Sequence, residues 1–432
     1  MARTRSSVRS RSEISATGLV VALALVFSGC AAGSEPAGSP PSTNSPPAQE
    51  VTPLTQAALA SILATSVEEH LVPGAFAVVT TPEGTVSAGY GTTSLGEDTT
   101  PQASDVFRIG SVTKTMTAAV ILQLVGEQKL ALTDPIEQFV PGVPNGQDIT
   151  IANLLQMRSG LQNYLDTDGF AAVFDHDMTT VWTPQQLVDF SFAYPAVSAP
   201  GTAFDYSNTN TTLLGMVAEQ LDGKPLPDIM HDRLFEPLGM TDTELPSATT
   251  TTLPSPSIQG YQYGTFPINH RPLLTADQQA AAVAGTLQPD IVTVQSPSWS
   301  WAAGGVVSTA DDLMKWAEAL SGSDLLGVTL HTTWLDDVEP MDPSNPENGP
   351  QYGLGIEQTR FGSNRLYLHE GELPGFNTFV ATDPAHGVRF AIWTNLALSP
   401  DGQATAKAVA GALIGELYRT KLGTPAASPT GG

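Results

Sequence analysis

Apolar positions spaced three and four residues apart over 54–69 (Leu54, Ala58, Ile62, Leu63, Val67) predict an amphipathic helix. The period then shortens. Two β-type runs, 75–80 and 85–90, flank the turn Pro82-Glu83-Gly84 and predict a hairpin. Near the other end, 365–368, 377–382 and 388–394 read as three further strands with short turns, followed by a helix over about 403–421. Strands from both ends of the chain joined in one antiparallel sheet, covered by the terminal helices, imply an α/β body. The middle, about 110–325, reads as mainly helical with long loops, a large subdomain inserted between the sheet halves.

Two helices of that middle are well marked. Over 111–127 the side chains Val112, Met116, Ala118, Ala119, Val120, Ile121, Leu122, Leu124 and Val125 are apolar nearly all round, the pattern of a helix buried centrally. Its first turn is polar, so its N-terminus is expected to open onto a cavity. The second helix is expected to begin at Ser308, with Asp311 three residues on as the capping pair, ahead of Leu313, Trp316 and Leu320. Residues 245–300 are rich in Thr, Pro, Ser and Gln and predict long loops with one short helix near 277–284.

The first thirty residues change the picture of where such a body sits. Arg3, Arg5, Arg9 and Arg11 precede an apolar run over 19–27, too short for a permanent membrane span and suited to a secretory leader. It ends in Phe27-Ser28-Gly29-Cys30, the form of a bacterial lipoprotein cleavage box, and Cys30 is the single cysteine of the chain. No internal disulfide can form, and Cys30 is the expected lipidation point. Residues 30–52 are dominated by Pro, Ser, Gly, Ala and Thr, which cannot bury enough apolar area to offset ordering, and are expected to act as a tether. The expected organisation is a leader over 1–29, the tether over 30–52, one domain over 53–422 and a disordered tail over 423–432, anchored by lipid to the outer face of a bacterial membrane.

The whole chain carries 18 basic and 43 acidic side chains, a formal charge of −25. Removal of the leader takes four Arg and one Glu and leaves 14 basic against 42 acidic groups. Without a basic footprint, nucleic acid is excluded as an expected partner. The acidic stretch Asp166, Asp168, Asp175, His176, Asp177 shows no metal-ligand spacing and reads as a solvated loop, so no metal and no cofactor are expected.

Candidate chemistry begins at Ser111-Val112-Thr113-Lys114. Positions i and i+3 share a helix face, so the hydroxyl and the amine can meet. Serine needs a neighbouring base, and a lysine serves only if desolvation or positive potential lowers its pKa, which the first turn of a buried helix supplies. Of the six lysines, only Lys114 has a serine three residues upstream. In Tyr206-Ser207-Asn208 the phenol is a candidate proton shuttle if cationic neighbours lower its pKa, and Asn208 is placed to orient a substrate amide or the lysine. In His369-Glu370-Gly371, a strand entering a glycine offers backbone N–H groups to a ligand. His369 is expected beside the tyrosine, adding positive or donor character, with the Glu372 N–H as a second oxyanion donor. Trp299 and Trp301 are equally readable as pocket rim or as core.

These three motifs, in this order and roughly 95 and 160 residues apart, resemble those of the serine β-lactamase and penicillin-binding-protein superfamily. The likeness is greatest to class C β-lactamases, the Streptomyces-type DD-carboxypeptidase and related esterases. It continues through Arg108-Ile109-Gly110, Leu154-Leu155, Ser159-Gly160-Leu161, the segment 234–240, the segment 304–312 and Tyr352-Gly353-Leu354-Gly355, and covers about 55–420. The resemblance implies a β-lactamase/transpeptidase-like fold. It implies Ser111 as nucleophile, Lys114 and Tyr206 as the proton-transfer pair, without deciding which is the primary base, and Asn208, His369, Gly371 and Glu372 as substrate-binding positions. The implied reaction is hydrolysis of a peptide, lactam or ester through an acyl-enzyme, on β-lactams or peptidoglycan stem peptides, by a monomer. The alternative is a catalytically weak envelope lipoprotein that binds peptidoglycan-like ligands. Two positions depart from the Streptomyces-type pattern: Glu357 stands where that enzyme has an arginine, with Arg360 nearby, and Glu370 where it has a threonine. Both are expected to repel a substrate carboxylate, which favours an esterase or broader amidase.

Overall fold

The computed structural model describes residues 51–265, 274–361 and 364–418. The leader, Cys30, nearly all of the tether and the tail over 423–432 lie outside them. Among the described residues no helix is long and apolar enough to cross a membrane.

The hairpin forms as β1 (Gly74–Thr81) and β2 (Gly84–Gly91), and the C-terminal half supplies β3 (Glu339–Pro340), β4 (Gln351–Tyr352), β5 (Glu357–Phe361), β6 (Asn364–Leu373), β7 (Phe376–Asp383) and β8 (Val388–Thr394). They make one antiparallel sheet in the order β2-β1-β8-β7-β6-β5-β4-β3, so that the N-terminal hairpin pairs with the last strand. The alternation along β1 shows why. Ala75, Ala77 and Val79 enter a core shared with α1 (Gln56–Glu69), while Phe76 and Val78 enter the core shared with α2 (Thr113–Gly126). A strand apolar on both sides needs cover on both faces. The first face receives α1 and the C-terminal helix, named below as α5, and the second receives the helical middle.

In that middle, α2 has eleven of its fourteen residues buried, in line with its all-round apolar pattern. Its polar entry is not α-helical: Gly110–Val112 form a 3₁₀ turn, and Ser111 stands in it half exposed. Beside it runs α3 (Asn208–Asp222). The next long helix, α4 (Ala310–Ser321), is capped by Thr309, whose hydroxyl accepts from Asp312 N. This corrects Ser308 as the cap: Ser308 is occupied in a two-residue strand with Phe107, so the chain is still extended there. The last helix, α5 (Thr405–Tyr418), packs on β7 and β8.

One difference from the sequence reading positions the site. The strand expected to end at 368 continues through the third motif to Leu373. Its first half, Asn364 to Leu368, pairs with β5, but 369–373 pairs only with β7. The free edge over 369–373 faces the turn that carries Ser111.

Candidate active site

Two glycines let the strand edge meet the turn. A Cβ built on Gly371 would lie 1.9 Å from the Ile109 carbonyl oxygen and 3.2 Å from Ser111 N. A Cβ on Gly110, whose φ is +55°, would lie 2.8 Å from Glu372 N. No larger residue fits this crossing of two backbones, which carries the backbone nitrogens of Ser111 and Glu372 on its two sides.

Behind the turn, Lys114 Nζ is 2.9 Å from Ser111 Oγ, 2.6 Å from Asn208 Oδ1 and 2.8 Å from the Ala303 carbonyl oxygen. Lys114 is 1 % exposed, and this desolvation pushes its ammonium pKa well below the ordinary lysine range. Asn208 is a lysine-orienting residue in this arrangement. Its own amide is fixed by Asn163 Oδ1, 3.1 Å from the backbone N and 3.3 Å from Nδ2.

The Tyr206 ring lies 4.9 Å from Lys114 Nζ, measured to its centroid, and 6.3 Å from the His369 ring. Cationic neighbours do not lower its pKa. Burial pushes the phenol well above its ordinary value, and the charges of Glu357, Glu370 and Glu372 add to this, against an opposing hydrogen bond with Ser111.

His369 also differs from expectation. Its Nδ1 lies 2.7 Å from the Glu370 carbonyl oxygen, which can only accept, so Nδ1 carries the proton. Nε2 then accepts from the Tyr352 hydroxyl at 3.0 Å. Burial and, secondarily, Lys114 depress the imidazole pKa to about 3. At neutral pH His369 adds neither a positive charge nor a free donor; it is a neutral spacer between Tyr352 and Tyr206.

Glu370 and Glu372 point to the opposite face of β6 from His369 and Gly371, as alternation requires. Glu357 joins them there, since it is paired with Leu368 in the sheet register. Lys407, in the first turn of α5, holds Glu370 in an ion pair of 2.6 Å. The helix start is itself fixed by Asn377, whose Oδ1 accepts from Ala406 N at 2.7 Å while its Nδ2 donates to the Gly371 carbonyl at 3.1 Å. Asn163, Asn377 and Lys407 carry no motif of their own, and Tyr352 entered only as part of the segment Tyr352-Gly353-Leu354-Gly355; the sequence reading passed over the roles of all four.

The remaining candidates fall away from this cluster. Trp299 is buried in an aromatic group with Phe174, 4.7 Å between centroids, and belongs to the core. Asp177 caps its own turn through Thr179. Among the described residues, His231, Asp232 and Glu236 come close enough together to share a cation, but they are exposed and Asp232 is held by Lys224.

A serine turn packed under a strand edge, with a buried lysine and a tyrosine behind it, defines the class of active-site serine proteins with an antiparallel sheet and a helical subdomain. The sequence pattern of the Beta-lactamase family matches residues 59–414, and the chain belongs to that family. It is 30 % identical over 283 residues to the D-alanyl-D-alanine-carboxypeptidase/endopeptidase AmpH of Escherichia coli K12, a match spanning 63 % of this chain and 65 % of that protein. The Bacillus subtilis putative penicillin-binding protein PbpX is 25 % identical over 271 residues, 63 % of this chain and 57 % of its own. The matches thus span 65 % and 57 % of these two relatives, less than two thirds of either. Among solved structures, a D-stereospecific amidohydrolase from Streptomyces sp. superposes with a TM-score of 0.72 at 28 % identity, covering 85 % of this chain and all of the other. The D-amino acid amidase of Ochrobactrum anthropi SV3 gives 0.68 at 27 %, covering 82 % and 95 %.

Proposed function

We propose that the chain is a cell-envelope serine hydrolase that opens an amide, ester or lactam through a Ser111 acyl-enzyme, tethered by a lipid on Cys30. The observation that carries it is the hydrogen-bond set of Lys114. A neutral amine has two hydrogens and one lone pair. Lys114 Nζ donates to Asn208 Oδ1, the Ala303 carbonyl and Ser111 Oγ in the structure; once deprotonated it keeps its two hydrogens for Asn208 and Ala303 and turns its lone pair to the Ser111 hydroxyl. Burial favours that neutral form.

In this reading Ser111 Oγ forms a bond to the substrate carbonyl carbon as its proton passes to Lys114 Nζ. The carbonyl oxygen becomes an oxyanion between the Ser111 and Glu372 N–H groups. The bond to the leaving nitrogen or oxygen breaks as that atom takes a proton through Tyr206, whose phenol, held protonated, is suited to donate. Water then releases the acyl group by the same steps in reverse. Lys114 is thereby favoured over Tyr206 as the first base. The names of the relatives point to D-configured amides and peptides as the first substrates to try.

The test is intact-mass spectrometry with a fluorophosphonate or a penicillin. A single adduct on Ser111, absent in Ser111→Ala, is expected. Folded protein that forms no adduct with either reagent overturns the proposal.

A further inference from the structure

The peptide unit that joins Gly371 to Glu372 is held from behind. Its carbonyl, from Gly371, accepts from Asn377 Nδ2 at 3.1 Å, and Asn377 stands on β7 opposite Glu372. In a trans peptide the N–H points the opposite way from the C=O. The Glu372 N–H is therefore turned from β7 to the edge that β5 leaves unpaired, where a Cβ on Gly110 would come 2.8 Å from its nitrogen. Asn377 is 1 % exposed. The oxygen of its side-chain amide accepts from Ala406 N at 2.7 Å and from Lys407 N at 3.4 Å, both in the first turn of α5. A backbone N–H can only donate and a carbonyl only accept, so this amide has a single orientation that satisfies both sides.

The dipoles of the α5 N-terminus, the Asn377 amide and the Gly371–Glu372 peptide thus stand head to tail, ending at the Glu372 N–H. In such a chain each hydrogen bond polarises the next, so a donor on the carbonyl strengthens the N–H of the same peptide. The positive end of a helix stands behind the whole row. We propose that Asn377 is a positioning residue for acyl transfer, which fixes and polarises the second oxyanion donor by coupling it to the start of α5. The proposal rests on the acyl-enzyme reading, in which the Glu372 N–H meets the developing oxyanion.

The start of α5 does not hang on Asn377 alone. Thr405 Oγ1 lies 2.6 Å from Thr394 Oγ1 on β8, and the Thr405 N–H donates to the Ala397 carbonyl at 3.3 Å. Removal of the Asn377 amide therefore leaves the helix docked, and its effect on the fold separates from its effect on the donor.

Asn377→Ala removes both bonds. Asn377→Asp keeps an acceptor for the helix N–H groups, where Asp caps as well as Asn, and loses the donor to Gly371. With a p-nitrophenyl ester followed by stopped flow, the limiting acylation rate of Asn377→Ala should fall about tenfold, a part of the loss expected when a whole oxyanion donor is removed. The dissociation constant of the unreacted ester should stay as in wild type. Asn377→Asp should fall at least as far, because its second oxygen faces the Gly371 carbonyl. Phenylboronic acid bonds through boron to Ser111 Oγ as the serine proton passes to Lys114, which sets a boron-bound oxygen where the oxyanion forms; its affinity should drop by the same factor as the rate. A folded variant within about twofold of wild type in both rate and boronate affinity overturns the proposal, as does a loss confined to ester binding. Wild-type protein gives an independent reading by NMR. Formation of the boronate adduct should move the Asn377 side-chain NH2 and Ala406 amide protons downfield together with that of Glu372, and a shift of Glu372 alone overturns the coupling. Failure of a fluorophosphonate to label Ser111 in the wild type would instead overturn the acyl-enzyme reading beneath it.

Discussion

Gly371→Ala tests whether the crossing of β6 over the nucleophile turn builds the oxyanion site. The new methyl would begin 1.9 Å from the Ile109 oxygen, where ordinary contact starts at 3.4 Å, so the backbones must separate by about 1.5 Å. The turn cannot yield easily: Ile109 is fully buried and its N–H donates to the Val306 carbonyl at 3.1 Å. The strand edge, unpaired on that side over 369–373, is what retreats, and it takes the Glu372 N–H with it. Loss of one such donor costs about 2.7–4 kcal/mol of transition-state stabilisation, roughly 10²–10³ in rate. The assay is the second-order rate of Ser111 acylation by a p-nitrophenyl ester, with thermal unfolding followed in parallel. A folded variant that acylates within about threefold of wild type would refute the reasoning, because a displaced donor cannot leave the barrier so little changed. Gly110→Ala approaches the same gap from the turn side, 2.8 Å from Glu372 N, and should act in the same direction.

Two further outcomes follow from the buried groups. Asn208→Asp places a carboxylate 2.6 Å from Lys114 Nζ, which favours the ammonium; acylation at pH 7 should fall at least about tenfold per unit of raised pKa and recover as pH increases. An acid limb unmoved from wild type would contradict Lys114 as the base. For His369, held at about 3 and locked between Glu370 and Tyr352, the imidazole NMR signals should stay in the neutral range from pH 8 down to about 4; a titration midpoint near 6.5 would show that the burial argument is wrong.

How much of this was readable from the chain depends on the distance over which each signal acts. The hairpin, the C-terminal strands and both terminal helices appear within a residue or a few of their expected bounds, because a two- or 3.6-residue period is repeated several times in each. The strands β3 to β5 are two to five residues long and leave no periodic trace. Ser111, Lys114, Tyr206 and Asn208 were legible because their spacing is local or belongs to a family pattern. Lys407 and Asn377 were not, since their roles arise only when α5 docks on β7 and the register of β6 against β7 is set. The capping error at Ser308 has the same source: a tertiary strand pairing with Phe107 holds that residue extended, and the cap moves one place on. Lys407, the ion-pair partner of Glu370, was out of reach for the same reason, lying 37 positions away in sequence and 2.6 Å away in space.

The pKa pattern connects the first thing visible in the sequence to the chemistry. An ammonium and a phenol respond to burial in opposite pKa directions, yet both are driven to their uncharged forms. Burial lowers the pKa of the Lys114 ammonium and raises that of the Tyr206 phenol, which on the proposed mechanism suits the first to take a proton and the second to give one. No cationic neighbour is needed to prepare either, and the carboxyls of β5 and β6 push the phenol further the same way. Lys114 is one of the eleven buried residues of α2, a position where a charged ammonium would be costly to keep dehydrated. On the proposed mechanism, in which Lys114 gives up its proton before Ser111 attacks, that burial is the means by which the residue becomes a base. Any substitution that lets water reach Lys114, even one that leaves all the polar groups of the site in place, should therefore cost acylation at neutral pH before it costs the fold.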